Sequence, residues 1–151
     1  MSQSAHTVTL SAGQAVLEAA RSKARQIGVP MNIAVVDEGS NLVAFARMDV
    51  AWLGSIDIAQ NRAYTARAFD MPTIDLAPLA QPGGPLYGIE ASNHGLVIVF
   101  AGGIPLLSDG RVVGAIGVSG GAVEQDQAVA EAGVAAFSPP SPPSRSGPVA
   151  L

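Results

Sequence analysis

The sequence contains no cysteine, which excludes disulfides, thiolate metal ligands and cysteine nucleophiles. Charged residues are also scarce, at 13% of 151 residues, whereas soluble domains usually carry about 25%. The mean hydropathy is +0.34, so much of the surface is weakly polar. Burial of that surface between subunits predicts a homo-oligomer; the alternative is a monomer with an alanine- and glycine-rich surface.

The sequence also lacks clustered positive charge and long apolar runs. Its eight basic residues are scattered and the formal net charge is −4, which argues against a nucleic-acid partner. No apolar run approaches the length of a membrane span, and the start of the chain has no signal-peptide pattern. We therefore expect a cytoplasmic protein that binds neither nucleic acid nor membrane.

The length suits one domain with a single core. We divide the chain into an N-terminal extension (residues 1–8), the domain (residues 9–137) and a tail rich in proline and serine (residues 138–151). The tail has too little apolar surface to offset the entropy lost on ordering, so we predict that it is disordered.

Local signals predict an alternation of helices and strands. Apolar residues recur at helical spacing from Thr9 to Gly28, and the following "MNIAVVD" and "LVAFARM" are joined by a hairpin connection. Ser55 is the predicted cap of a second helix that continues to Phe69. A short helical stretch begins at Thr73, "LVIVF" (residues 96–100) is a predicted strand, and a last helix follows Gly121.

The strands are joined by hairpins, because the connections between them are short and rich in turn-forming residues. We predict an α+β fold with a single antiparallel sheet of about five strands and flanking helices. Glycine is concentrated in "FAGGIPLLSDGRVVGAIGVSGG" (residues 100–121). Glycine persists where the chain needs a positive φ or where another group approaches closely. The stretch is therefore either a tight hairpin or the lining of a site.

Several segments of the sequence resemble segments of one protein family and occur in the same order: "NIAVVDEGSNLVAFARMD", "SIDIAQNRAYTARAF", "GGIPLLSDGRVVGAIGVSGG" and "EQDQAVAEAG". They resemble the GlcG/HbpS family of haem-binding or haem-degrading proteins, which is related to the PduO C-terminal domain. The resemblance implies a profilin-like or PAS-like fold, assembly into oligomers, and haem as a cofactor. It also implies a function in binding haem or another small molecule. The helix that matches the family has Arg62 at a position where lysine is usual. Arginine keeps the positive charge, so the position can still recognise an anion. Because arginine stays protonated, it cannot readily transfer a proton or form a Schiff base as lysine does.

The candidate ligand-binding residues are arginines and glycines. Arginine binds carboxylates through two parallel hydrogen bonds, and glycines let a ligand approach the backbone or expose amides at the start of a helix. The set is Arg47, Arg62, Gly102, Gly103, Gly120 and Gly121. Structural alternatives stay open: Arg47 pairs with Asp49, and Glu124 and Asp126 satisfy the helix end beside Gly120 and Gly121.

His94 is the best candidate for a haem-iron ligand. The other side chains able to bind iron are His6, Met48, Met71, Tyr64 and Tyr87. Trp52 could flank a planar ligand, although core or interface packing is more common.

An alternative function is an enzyme that acts on a small organic acid or enol by general acid–base catalysis, as an isomerase, lyase or cyclase. Its catalytic residues would be Glu90, His94 and Arg62. A third alternative is a structural oligomerisation module, and whether the protein is an enzyme is left open.

Overall fold

The computed structural model describes residues 7–139 of the chain; His6 and most of the tail predicted to be disordered lie outside these residues. In chain order the elements are α1 (Leu10–Ile27), β1 (Asn32–Asp37), β2 (Leu42–Arg47), α2 (Gly54–Phe69), α3 (Thr73–Leu76), β3 (Gly103–Ser108), β4 (Arg111–Ser119) and α4 (Val123–Ala135). Short 3₁₀ helices lie between α3 and β3, at Ala77–Ala80, Ile89–Ala91 and Asn93–Gly95. None of the helices in the described part is both long and apolar enough to cross a bilayer.

The first helix has the ends that the sequence predicts. The hydroxyl of Thr9 accepts a hydrogen bond from the amide of Ala12 at 3.2 Å, so one unpaired amide of the first turn is satisfied. Gly28 ends the helix in the left-handed conformation with φ of 77°, which glycine adopts without steric cost. Just before α1, Val8 is 3% exposed and packs in the core, so tight packing begins inside the segment assigned to the extension.

The sheet has four antiparallel strands in the order β2-β1-β4-β3. The predicted hairpins are confirmed, and the β3–β4 turn has positive φ at both Asp109 and Gly110, as a two-residue hairpin requires. The fifth strand, predicted over residues 96–100, is absent from the described part of the chain. The amide of Ile98 instead donates to the hydroxyl of Thr65, and Val97 and Val99 pack in a small separate core.

Helix α2 covers one face of the sheet through small side chains. Three alanines of the helix, Ala59, Ala63 and Ala66, are fully buried against the sheet. A Cβ atom added at Gly117 on β4 would overlap the main chain of Ala59, so glycine permits this close approach. Ser55 does not cap the helix, which begins at Gly54; it lies in the first turn and its hydroxyl accepts a hydrogen bond from Ser119.

The main core lies on the opposite face, beneath α1 and α4. Its largest fully buried members include Val16 from α1, Ile33 from β1, Ile116 from β4 and Val129 from α4. The sheet is therefore a middle layer, with α2 on one side and the α1–α4 pair on the other. Charged side chains meet at two places in this arrangement, where the last turns of α1 lie beside the end of β2 and where the first turn of α4 meets α2.

Candidate functional site

A buried ion pair joins α2 to α4. Arg62 and Asp126 are 4% and 2% exposed, and Nη1 of Arg62 lies 2.7 Å from Oδ2 of Asp126. The same Nη1 donates to the carbonyl of Val118 on β4 at 2.5 Å. Arg62 therefore faces protein atoms in the interior. Arg62 is a candidate ligand-binding residue from the sequence, but its guanidinium is occupied by protein groups because α4 brings Asp126 over it.

Asp126 also satisfies the start of α4. Its Oδ1 accepts a hydrogen bond from the amide of Gly121 at 2.9 Å, and Oε1 of Gln125 accepts one from Ala122 at 2.9 Å. Burial raises the pKa of the Asp126 carboxyl, while the Gly121 amide, Arg62 and the Gly120 amide oppose that rise. The amides predicted to bind a ligand anion are thus directed at a side chain of the protein itself. This is the structural alternative that the acidic first turn suggested.

Gly102 and Gly103 accommodate α2. Gly102 has φ of 124°, and a Cβ atom there would crowd the carbonyl of Val118 and the Arg62 side chain. A Cβ atom at Gly103 would overlap the main-chain carbonyl of Arg62, and its amide donates to the hydroxyl of Thr73 at 2.9 Å. Close packing between helix and sheet explains both glycines. Their contact with a ligand stays a prediction.

The acid–base candidates do not converge. Glu90 and His94 lie exposed on 3₁₀ helices, and this segment is attached to α2 by a hydrogen bond from Nδ2 of Asn93 to the hydroxyl of Tyr64 at 3.0 Å. Arg62 and Tyr64 are two residues apart on α2, so their side chains point in different directions. The geometry offers no common site for these three groups, and therefore gives no support to the acid–base enzyme. Within residues 7–139, no group of three His, Asp or Glu could hold a metal ion.

A surface depression, which we call the arginine cleft, lies where the last turns of α1 meet the end of β2. It has a volume of about 300 Å³ and is lined by Arg21, Arg25, Ala46, Arg47, Met48 and Asp49. The guanidinium of Arg47 donates from Nε and Nη2 to the carbonyl of Ala51 at 3.2 and 2.9 Å. The Arg47–Asp49 ion pair, the structural alternative left open by the sequence, is not among those formed by the described residues, because Arg47 is held by the backbone instead.

A second depression, which we call the apolar cleft, lies between α3 and α4 and has a volume of about 450 Å³. Its apolar lining includes Ile74, Phe100 and Val123, which are 45%, 51% and 39% exposed. Glu124 and Glu131 also line it, so the charge at this cleft is negative. The two clefts therefore differ in the ligands that they suit.

Comparison with protein families shows to which family the chain belongs. A family model described as "Haem degrading protein HbpS-like" matches residues 8–135. The chain belongs to the HbpS-like family. This membership confirms the resemblance to HbpS that the sequence blocks indicated.

Individual relatives of this HbpS-like chain agree with that assignment. The crystal structure of Klebsiella pneumoniae protein ORFY is 40% identical, has a TM-score of 0.86, and the match covers 90% of this chain and 94% of that one. The crystal structure of a PduOC–haem complex is 36% identical, has a TM-score of 0.82, and the match covers 87% and 95%. A 15.0 kDa protein from the dhaT-dhaS intergenic region of Citrobacter freundii is 42% identical over 137 residues, or 91% of this chain and 96% of the relative.

The sequence of this HbpS-like chain singles out Arg47 as a candidate but not Arg21 and Arg25, which line the same cleft. The available signal is their spacing, because residues four apart lie on the same face of a helix. That spacing shows that the two arginines are neighbours. It does not show that α1 packs beside the end of β2, which brings them to Arg47.

Proposed function

We propose that this HbpS-like protein binds haem. The observation that carries the proposal is the similarity over nearly the whole domain to PduOC, whose crystal structure is a complex with haem. A function in binding a small molecule also agrees with the family description. The proposal concerns binding, and it assigns no reaction to the chain.

The described residues fit the chemical groups of haem. Haem presents a flat apolar ring, two carboxylates and an iron atom that takes nitrogen, sulfur or oxygen ligands. Its carboxylates suit the guanidinium groups of the arginine cleft, and Met48 lies in the same cleft. The arginine and apolar clefts, at about 300 and 450 Å³, are in the range of small-molecule sites.

Titration of ferric haem into the full chain tests the proposal. We expect a saturable shift of the Soret band with one haem per chain, because haem enters a defined environment when it binds. A protein of similar size and charge, titrated in the same way, measures non-specific association. If the spectrum in the presence of the chain matches that of this control at micromolar concentrations, the proposed function is wrong.

The iron ligand is tested in the same experiment. His94 stays the predicted ligand from the sequence, and it is exposed on a 3₁₀ helix. If His94 binds the iron, the variant His94→Ala changes the position of the Soret band. Met48 is the competing ligand, and Met48→Leu is its matched variant because the two side chains have similar volume.

We also propose that the protein assembles as a homo-oligomer. The low charged fraction supports this, as do large apolar side chains on the surface. Phe100 lies half exposed in the apolar cleft, and Val50, Trp52 and Leu53 are between 67% and 85% exposed. Contact between subunits would remove such residues from water.

A further inference from the structure

We propose that the arginine cleft is where the ligand is held, and that it binds the two carboxylate groups of haem. The inference rests on the proposed function and adds the surface and the chemistry of recognition. It assigns Arg21, Arg25 and Arg47 as the residues that bind the anionic groups.

Positive charge is concentrated in the arginine cleft, although the chain as a whole is negatively charged. Three of the eight basic residues line it, although the formal net charge of the chain is −4. Arg21 and Arg25 are four residues apart on α1, and like charges at that spacing destabilise a helix. Asp49 lines the cleft and Glu18 pairs with Arg21 at 2.7 Å, yet one positive charge remains in excess. A bound carboxylate would relieve the repulsion.

The donors of the cleft are available to a ligand. Arg47 uses Nε and Nη2 to bind the carbonyl of Ala51, which fixes the guanidinium and leaves Nη1 for another acceptor. Arg25 takes part in none of the ion pairs formed by the described residues. Nε of Arg21 is buried, so Arg21, whose side chain is 40% exposed, can reach a ligand only through its terminal nitrogens. A guanidinium held in place by the protein loses less entropy when it binds a carboxylate.

An exposed apolar side chain, Val50, lies beside the charged groups of the cleft. A recess of about 420 Å³ continues along Arg47, Met48 and Asp49 to Val50, whose side chain belongs to an exposed apolar loop. In the apolar cleft, by contrast, Glu124 and Glu131 are part of the lining. Those carboxylates would repel the carboxylates of haem. The arginine cleft is therefore the better match in charge.

The test compares Arg25→Gln with Arg111→Gln in the full chain. Arg25 is exposed at the end of α1 and lines the cleft, whereas Arg111 is exposed at the β3–β4 turn, so both variants lose one surface charge. We expect Arg25→Gln to weaken haem binding about tenfold, because it removes a charged hydrogen bond to a carboxylate. Arg111→Gln should leave the dissociation constant within roughly twofold of the parent.

Two further measurements separate carboxylate recognition from general effects. Iron etioporphyrin, which has no carboxylates, should bind the parent and Arg25→Gln equally. Added salt should weaken haem binding more in the parent than in Arg25→Gln, because salt screens the charge that the variant lacks. Thermal melting by circular dichroism checks that both variants fold.

The outcomes distinguish this inference from the proposed function. If the parent binds no haem, the proposed function fails and the assignment of the cleft fails with it. If the parent binds haem and folded Arg25→Gln binds it equally well, only the assignment of the cleft is overturned. The same holds if His94→Ala abolishes the Soret shift while Arg25→Gln leaves haem affinity unchanged, because the ligand then lies on the 3₁₀ segment.

Discussion

Removal of one partner of the Arg62–Asp126 pair should destabilise the fold strongly. The two side chains are 4% and 2% exposed and lie 2.7 Å apart, so each charge depends on the other for the interactions that it has lost with water. In Asp126→Asn the oxygen that accepts from Gly121 is retained, while the negative charge disappears. Arg62 is then left buried beside a neutral group.

The magnitude follows from the burial. Breaking a buried pair by removal of one charge costs about 3–5 kcal/mol, whereas removal of both charges costs much less. Since a domain is stabilised by only about 5–15 kcal/mol, Asp126→Asn should lower the melting temperature by roughly 10 °C. The double variant Arg62→Met/Asp126→Asn should be less destabilised than the sum of the two single variants by about 2 kcal/mol.

The pH dependence of Arg62→Met gives an independent measure. Burial already raises the Asp126 pKa from its ordinary value of 3.8, and loss of the opposing Arg62 charge should raise this pKa further. Between the unfolded and folded pKa values, the folded state binds more protons than the unfolded state. The free energy of unfolding therefore falls as pH rises through that range, and Arg62→Met should lose stability relative to the parent as pH rises above the ordinary carboxyl pKa of 3.8.

Urea unfolding followed by far-ultraviolet circular dichroism supplies all these free energies. The experiment covers the parent, both single variants and the double variant at each pH. Additive single costs, or single costs below about 1 kcal/mol, would refute the argument, because they are the values expected of an exposed pair. In that case the two charges would be solvated in solution.

Two further predictions concern packing and assembly. Gly117→Ala should lower the free energy of unfolding by about 3 kcal/mol because its Cβ overlaps the main chain of Ala59; urea unfolding measures this. Gly54→Ala is the control, since a Cβ there meets nothing within 4 Å, and equal effects in the two variants would contradict the packing argument. Multi-angle light scattering at micromolar concentration should give a multiple of the 15.2 kDa chain mass, and a monomer mass would rule out the proposed oligomer.

Local chemistry explains which parts of the fold could be predicted. The helix caps and the hairpin turn depend on the backbone conformation of the residues themselves or on contacts three or four positions away, so sequence spacing reveals them. These residues are Thr9, Gly28, Asp109 and Gly110. The segment at residues 96–100 has the composition of a strand, but it is held by the hydroxyl of Thr65 and by its own small core. Contacts of that kind join residues about thirty positions apart and leave no periodic signal.

The same distinction applies to the candidate site. Arg62 has a side chain of the type that binds anions. Only the packing of α4 shows that Asp126 is already its partner. Arg25 on α1 and Arg47 on β2 are separated in the chain by the strand β1, and the layer order brings them to one cleft. Sequence patterns therefore indicate candidate residue types and cannot establish which of them face solvent.

The pairing of β1 with β4 has a consequence for the biosynthesis of the protein. β1 (Asn32–Asp37) pairs with β4 up to Ser119, so the centre of the sheet joins the first and last thirds of the domain. During synthesis the edge of β1 that faces away from β2 stays unpaired until β4 has left the ribosome. Pairings between distant segments slow folding, and an unpaired edge promotes aggregation. Factors that shield nascent chains should therefore influence the yield of folded protein more than the stability of the finished domain would suggest.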